Sequence, residues 1–198
     1  MVQIDYFFAT ISPFVYLGGP RVQLVAERNG AEVGFLPIDA PALFPRTGGQ
    51  VLAERHESRR AYRMQELRRQ AAKLGIPLNL RPAHFPVNPA PSSYAVISAA
   101  RAGGGDIHGL VQGFSRAVWA EDRDISDDAV IRDIMGKNGF DPALADRGML
   151  TAADTYVANL DEAVSRGVFG VPFFIVGDER FWGQDKIDDL DLYLQGQV

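Results

Sequence analysis

The order of hydrophobic patterns along the chain limits its fold more than any other feature of the sequence. Residues 3–8 (QIDYFF) have the composition of a short strand, a helical pattern runs from Pro13 to Asn29-Gly30, and residues 33–38 have the pattern of a second strand. A strand, a helix and a strand at this spacing predict a βαβ unit with parallel strands and a right-handed crossover.

Strand patterns return only near the other end of the chain. Residues 172–176 (PFFIV) are apolar, Gly177-Asp178 is typical of a tight turn, and residues 180–182 follow as another short strand, which together predict a hairpin. An amphipathic helix is expected over residues 184–194. The second β-region therefore has the order ββα.

The long segment between the two β-regions is helical in character. Apolar residues at helical spacing predict helices over residues 53–74, 92–102, 107–118, 126–137 and 151–166, with irregular segments at 41–50 and 78–90. We therefore expect an α/β fold in which an all-helical insertion, residues 41–164, separates residues 1–40 from residues 165–198.

The composition excludes several classes of function. The 198 residues include no cysteine, so disulfides, thiolate metal sites and a cysteine nucleophile are all excluded. A net charge of −5 gives no reason to expect a nucleic-acid partner, and the three histidines lack the spacing of metal ligands, so no metal site is expected. No apolar run approaches the roughly 18 residues that cross a bilayer, and no basic leader precedes the first strand. We therefore expect no membrane contact and a cytoplasmic location.

Ser12-Pro13 marks the junction between the first strand and the first helix. Serine is a good N-cap and proline suits the first helical position. The ordinary interpretation is that Ser12 caps the helix. The functional alternative is that its hydroxyl and the neighbouring N–H groups stabilise an anion, including a thiolate, at the positive end of the helix dipole.

Val171-Pro172 precedes the third strand. Proline restricts the residue before it to extended geometry, and a cis bond here would turn the N–H and C=O of Val171 towards a peptide-like ligand. Because only about 5–6% of X–Pro bonds in folded proteins are cis, the dipeptide alone does not predict one.

Two further groups of polar residues are candidates. Gln184 and Asp185 fall in the first turn of the last helix, where an acid is favoured by the dipole and could alternatively receive an ammonium group of a ligand. The second group consists of six arginines between positions 55 and 69, interleaved with glutamates: Arg55, Arg59, Arg60, Arg63, Arg68 and Arg69. Most of them are expected to form a solvated helix face.

Taken together, these features resemble a known family. A Ser-Pro after the first strand and a Gly-Val-Pro before the third, with helices between the two β-regions, are typical of the DsbA-like branch of the thioredoxin superfamily, in which disulfide oxidoreductases carry cysteine at the position of Ser12. The chain is most similar to the serine-containing members, the kappa-class glutathione transferases and the 2-hydroxychromene-2-carboxylate isomerases. Five stretches match the isomerases: YFFATISPFVYL (6–17), LGIPL (74–78), FPVNP (85–89), AVWAEDRDIS (117–126) and GVFGVPFFIVGDERFWGQDK (167–186).

The resemblance implies a thioredoxin-like fold that binds glutathione. It implies that Ser12 holds the glutathione sulfur, that the backbone of Val171 pairs with the cysteinyl unit, that Pro172 is cis, and that Gln184 and Asp185 bind the γ-glutamyl end. Arg59, at a position that is often lysine in the family, is expected to contribute to glutathione binding as well. Two departures are Gly49 in place of an asparagine and Lys186 in place of an arginine.

The resemblance also implies an activity, the interconversion of 2-hydroxychromene-2-carboxylate and trans-o-hydroxybenzylidenepyruvate in the catabolism of aromatic compounds. A glutathione thiolate stabilised by Ser12 would add reversibly to the conjugated double bond and allow it to rotate. Arg59 and Asn88 are candidates for binding the carboxylate of the small aromatic substrate, and a homodimer is expected. Two alternatives stay open: a kappa-like glutathione transferase or peroxidase, and a redox-inactive DsbA-like domain that binds peptides without catalysis.

Overall fold

The computed structural model describes residues 1–198 and contains one mixed sheet of four strands. The strands are β1 (Val2–Phe8), β2 (Ala31–Pro37), β3 (Phe173–Val176) and β4 (Glu179–Trp182), in the spatial order β2-β1-β3-β4. β1 is parallel to β2, whereas β3 is antiparallel to both β1 and β4. The predicted βαβ unit and the predicted hairpin are therefore confirmed, and they share one sheet.

Ten α-helices surround this sheet. They are α1 (Pro13–Gly18), α2 (Arg21–Asn29), α3 (Ala40–Arg46), α4 (Glu57–Leu74), α5 (Ala90–Ala102), α6 (Ile107–Trp119), α7 (Asp128–Lys137), α8 (Leu144–Arg147), α9 (Met149–Ser165) and α10 (Ile187–Leu194). Two 3₁₀ turns, Leu52–Glu54 and Gln184–Lys186, precede α4 and α10. None of the helices is both long and apolar enough to cross a membrane.

The prediction of one helix from Pro13 to Asn29 is wrong in one respect, because two helices, α1 and α2, form there. Gly19 follows α1 with a φ of 53°, a conformation that glycine adopts readily, and Pro20 follows with no N–H to continue a helix. The chain therefore turns between α1 and α2. Similarly, the last predicted helix begins as a 3₁₀ turn at Gln184 and becomes α-helical only at Ile187.

The prediction of a loop over residues 41–50 is also wrong for its first half, where α3 forms. Asp39 caps this helix, since its side chain accepts a hydrogen bond from the Ala42 N–H at 3.0 Å. Pro41 lies in the first turn, where the missing N–H has no partner to lose. Pro45 lies near the other end of a seven-residue helix, so its effect is confined to the last turn.

Both faces of the sheet are covered, because successive side chains of a strand point to opposite faces and both sets contain apolar residues here. Ile4, Tyr6 and Phe8 face one side and pack in the largest core cluster with Leu110, Phe114, Val118 and other residues of α5, α6 and α7. On the opposite side Phe7 packs in a second cluster with Leu43 of α3 and Ala163 of α9. The helical segment therefore contributes to the same core as the sheet, while the division into residues 1–40 with 165–198 and residues 41–164 stays a prediction.

The strand register brings three chain segments to one edge of the sheet. Phe7, near the end of β1, lies opposite Phe173 at the start of β3, and Phe173 lies opposite Trp182 at the end of β4. The residues that follow β1, those that precede β3 and those that follow β4 are therefore neighbours. This edge contains Ser12, Val171-Pro172 and Gln184-Asp185.

Candidate active site

Ser12 lies at the N-cap position of α1 but does not cap the helix. Its backbone is extended (φ −80°, ψ 125°), its N–H donates to Ala9 O at 2.9 Å, and its C=O accepts from Tyr16 N–H at 3.1 Å. The side chain forms no capping hydrogen bond. The residue is only 8% exposed, and its hydroxyl has no hydrogen-bond partner within the chain. The ordinary explanation for a serine at this position is therefore not the one that the structure supports.

The Val171-Pro172 peptide bond is cis, as the resemblance implies. Neither the N–H nor the C=O of Val171 forms a hydrogen bond within the chain, although the residue is half-buried. Pro172 is fixed, because its carbonyl accepts a hydrogen bond from Gly183 N–H at 3.0 Å. Buried backbone groups normally find partners, so the unpaired donor and acceptor of Val171 are positioned to pair with a ligand.

Gln184 is almost completely buried (2% exposed), and its amide is already engaged. Its Oε1 accepts a hydrogen bond from Arg21, and its Nε2 donates to Gln70 Oε1 at 3.2 Å. The same Arg21 donates to the carbonyls of Leu17 and Gly18, each at 3.2 Å. The side chain of Gln184 therefore ties the turn after β4 to α1, α2 and α4, and it positions this turn.

Asp185 contrasts with its neighbour. Its side chain is exposed, and the adjacent Lys186 pairs with Asp189 instead, at 3.0 Å. Gly183 approaches it closely: a Cβ at this position would lie 2.5 Å from Asp185 Oδ1, and the φ of 111° is one that side chains rarely allow. Asp185 thus presents a carboxylate without an ion pair at the same edge as Ser12.

The two predicted substrate-binding residues are both exposed. Asn88 lies two residues before the start of α5, where its Oδ1 accepts a hydrogen bond from Ala90 N–H at 3.1 Å. Arg59 lies on the first turn of α4. No hydrogen bond or ion pair joins either residue to Ser12, Val171 or Asp185, and their role stays a prediction.

The helical segment contributes further residues next to Ser12. Trp119 (1% exposed) donates its indole N–H to Ile11 O at 3.0 Å. Thr10 and Ser92, both fully buried, share a hydrogen bond of 2.8 Å between their hydroxyls. The chain around Ser12 is therefore attached to α5 and α6, so both parts of the molecule form the site.

Sequence reasoning placed Arg63 among the arginines of an expected solvated helix face and did not single it out. Its guanidinium lies over the rings of Phe85 and Trp119, with Cζ 5.9 Å and 5.8 Å from their centroids. Burial, reinforced by the charge of Arg55, lowers the pKa of Arg63 from its ordinary value to about 10. A usable signal existed, because arginines at 55, 59 and 63 are four positions apart and would share one face of the predicted helix over residues 53–74.

Comparison with known proteins places this chain in a family. A model described as a DSBA-like thioredoxin domain matches residues 3–195. The chain is 30% identical over 194 residues to the 2-hydroxychromene-2-carboxylate isomerase of Sphingobium xenophagum, covering 96% of this chain and 97% of that protein. The chain belongs to the 2-hydroxychromene-2-carboxylate isomerase family.

Other relatives agree with this membership. The 2-hydroxychromene-2-carboxylate isomerase of Pseudomonas putida is 26% identical over 187 residues, which cover 93% of this chain and 90% of that protein. A solved structure of a 2-hydroxychromene-2-carboxylate isomerase superimposes with a TM-score of 0.80 at 26% identity, covering 98% of this chain and 95% of the other. The protein is therefore an isomerase with a DsbA-like thioredoxin fold.

Proposed function

We propose that the protein is a glutathione-dependent isomerase that interconverts 2-hydroxychromene-2-carboxylate and trans-o-hydroxybenzylidenepyruvate. Two relatives named 2-hydroxychromene-2-carboxylate isomerase match this chain over nearly their whole length. The observation that carries the glutathione requirement is the set of unpaired groups at one edge of the sheet: the Ser12 hydroxyl, the Val171 N–H and C=O, and the Asp185 carboxylate.

These groups suit the chemistry of glutathione. A tripeptide backbone offers a donor and an acceptor for the unpaired N–H and C=O of Val171, in the manner of an added strand. Its ammonium group matches the carboxylate of Asp185, for a charge-assisted hydrogen bond. Its sulfur then suits the hydroxyl of Ser12, which has no other partner.

Each residue has a separate role in the proposed reaction. Bound glutathione would supply a thiolate that adds reversibly to the conjugated double bond of the substrate, so that the bond can rotate. Ser12 donates its O–H to the sulfur and lowers the pKa of the thiol, which raises the thiolate fraction near neutral pH. Val171 fixes the direction of the tripeptide, and the buried amide of Gln184 holds the turn that presents Asp185. Ser12 orients and stabilises without attacking.

Titration calorimetry with reduced glutathione tests the cofactor. We expect saturable binding that weakens about tenfold in Asp185→Ala, because a charge-assisted hydrogen bond is lost. Asp178→Ala is the matched control, since Asp178 is an equally exposed aspartate in the turn between β3 and β4, away from the site. Absence of binding at millimolar glutathione would contradict the proposal and favour a domain that binds peptides along Val171.

The isomerase assay tests Ser12. In Ser12→Ala we expect kcat to fall about 100-fold, as when one donor to a developing anion is removed. Ser165→Ala, at the exposed end of α9, is the control. Unchanged turnover in Ser12→Ala would refute this role. Conjugation of an aryl halide without isomerisation would instead identify a kappa-like transferase. The homodimer and the cytoplasmic location stay predictions.

A further inference from the structure

Arg63 is a half-buried cation that has no counter-ion in the chain. Its guanidinium rests over Phe85 and Trp119, at 5.9 Å and 5.8 Å from the ring centroids, and it enters no ion pair or hydrogen bond. Arg69, on the same helix, shows the usual behaviour of a surface arginine by pairing with Glu66 at 2.7 Å. The N–H groups of Arg63 are therefore without an acceptor.

Two aromatic residues connect Arg63 to the candidate active site. The ring of Trp119 contacts the ring of Phe85, with centroids 4.8 Å apart, and its indole N–H donates to the carbonyl of Ile11 at 3.0 Å. Ile11 immediately precedes Ser12. Arg63 is thus separated from the chain at Ser12 by a single side chain that contacts both.

The neighbouring charge that acts on Arg63 is positive. Arg55 lies near it and rests over Phe44, with Cζ 5.1 Å from the ring centroid, while its Nε donates to Gln50 O at 2.9 Å. Burial and the charge of Arg59 lower the pKa of Arg55 in turn. A desolvated cation beside other cations is unfavourable without an anion. This arrangement is expected where a ligand supplies the negative charge.

We propose that Arg63 binds the carboxylate of the aromatic substrate, an inference that rests on the proposed isomerase function and assigns its substrate-recognition residue. Phe85 and Trp119 support the guanidinium, so that it can donate two N–H groups to one carboxylate in bidentate geometry. The cationic surroundings select anionic over neutral aromatic ligands. Binding of a glutathione carboxylate at Arg63 is the competing assignment, which the kinetic test below distinguishes.

Steady-state kinetics of Arg63→Met test this role. The substrate carboxylate is not the reacting group. Loss of its contact with Arg63 should therefore raise KM for the substrate about 10- to 100-fold while kcat changes little. Arg63→Lys should restore part of the affinity, since it keeps the charge and loses the bidentate geometry. Arg68→Met, an exposed arginine on the same helix, is the control. An unchanged KM, or a loss of glutathione affinity with unchanged KM, would overturn the inference.

A direct titration keeps this test separate from the isomerase activity. Coumarin-3-carboxylate, titrated in the absence of glutathione, should bind the wild-type protein more tightly than the neutral coumarin-3-carboxamide. Arg63→Met should remove that preference, and Arg68→Met should keep it. This result would support an anion site at Arg63 even if the protein failed to bind glutathione or to isomerise. Equal binding of the two probes by the wild-type protein, or no binding of either, would refute it.

Discussion

The stability of unliganded Arg63→Met distinguishes a ligand-binding role of Arg63 from a purely structural one. If the cation serves mainly to hold Phe85 and Trp119 together, its removal should destabilise the fold. If it is held there for an anionic ligand, removal should stabilise the unliganded protein, because the fold no longer keeps a desolvated charge next to Arg55. Methionine is suitable because it is flexible and packs well against aromatic rings.

The size of the effect follows from the pKa of Arg63. The fall of the Arg63 pKa from its ordinary value to about 10 corresponds to about 3 kcal/mol, which partial contact with water reduces to about 2 kcal/mol. The folded state binds this proton less tightly than the unfolded state. The unfavourable contribution is therefore fully present at pH 7 and is relieved only above about pH 10. The favourable contacts of the guanidinium with the two rings offset about 1 kcal/mol of this unfavourable free energy. A net gain of about 1 kcal/mol remains.

Thermal unfolding at pH 7 measures this gain. In a chain of this size 1 kcal/mol shifts the Tm by about 2–4 °C, so Arg63→Met should melt higher by that amount while Arg68→Met changes little. Coumarin-3-carboxylate should raise the Tm of the wild-type protein but not that of Arg63→Met, because only the former binds it in the native state. A lower Tm for Arg63→Met than for the wild-type protein would refute the reasoning.

Three other substitutions have defined outcomes. Gly183→Ala should lower the free energy of unfolding by about 1–2 kcal/mol in urea and weaken glutathione binding, because a Cβ would lie 2.5 Å from Asp185 Oδ1 at a φ of 111°. Asn159→Ala should lower the free energy of unfolding by about 1–3 kcal/mol, since the buried Nδ2 of Asn159 donates to Pro37 O at 3.0 Å and the carbonyl would lose its partner. Burial lowers the pKa of His108 from its ordinary 6.5, so the unfolded chain takes up this proton first and stability falls as the pH drops below 6.5. His108→Gln should reduce that acid sensitivity in urea titrations at pH 7 and pH 5, and an unchanged pH dependence would contradict it.

Hydrophobic periodicity predicted the sheet because each strand has a strong local pattern. The apolar runs at residues 3–8 and 172–176 form β1 and β3, and the turn at Gly177-Asp178 joins β3 to β4. Periodicity could not find α3, because the prolines around it are usual loop residues. The helix depends instead on the cap by Asp39 and on a position for Pro41 that requires no N–H.

The chemistry of the site was only partly predictable for a different reason. Ser12, Val171 and Asp185 are local features, and the strand order alone brings them to one edge of the sheet. The role of Gln184 is not local, because its partners Arg21 and Gln70 are distant in sequence and meet it only through the packing of α2 and α4. The sequence motif therefore identified the position of Gln184 but could not predict the hydrogen bonds that its amide forms within the chain.

The arginines of α4 show where charge patterning becomes informative. Like charges four positions apart on a helix destabilise it slightly, and acids at the intervening turns normally offset them. Arg69 follows this rule through Glu66, whereas Arg63, three positions before the same glutamate, forms no ion pair and lies over two aromatic rings. An unpaired guanidinium one side chain away from Ser12 is better explained by a negative charge that arrives with the ligand.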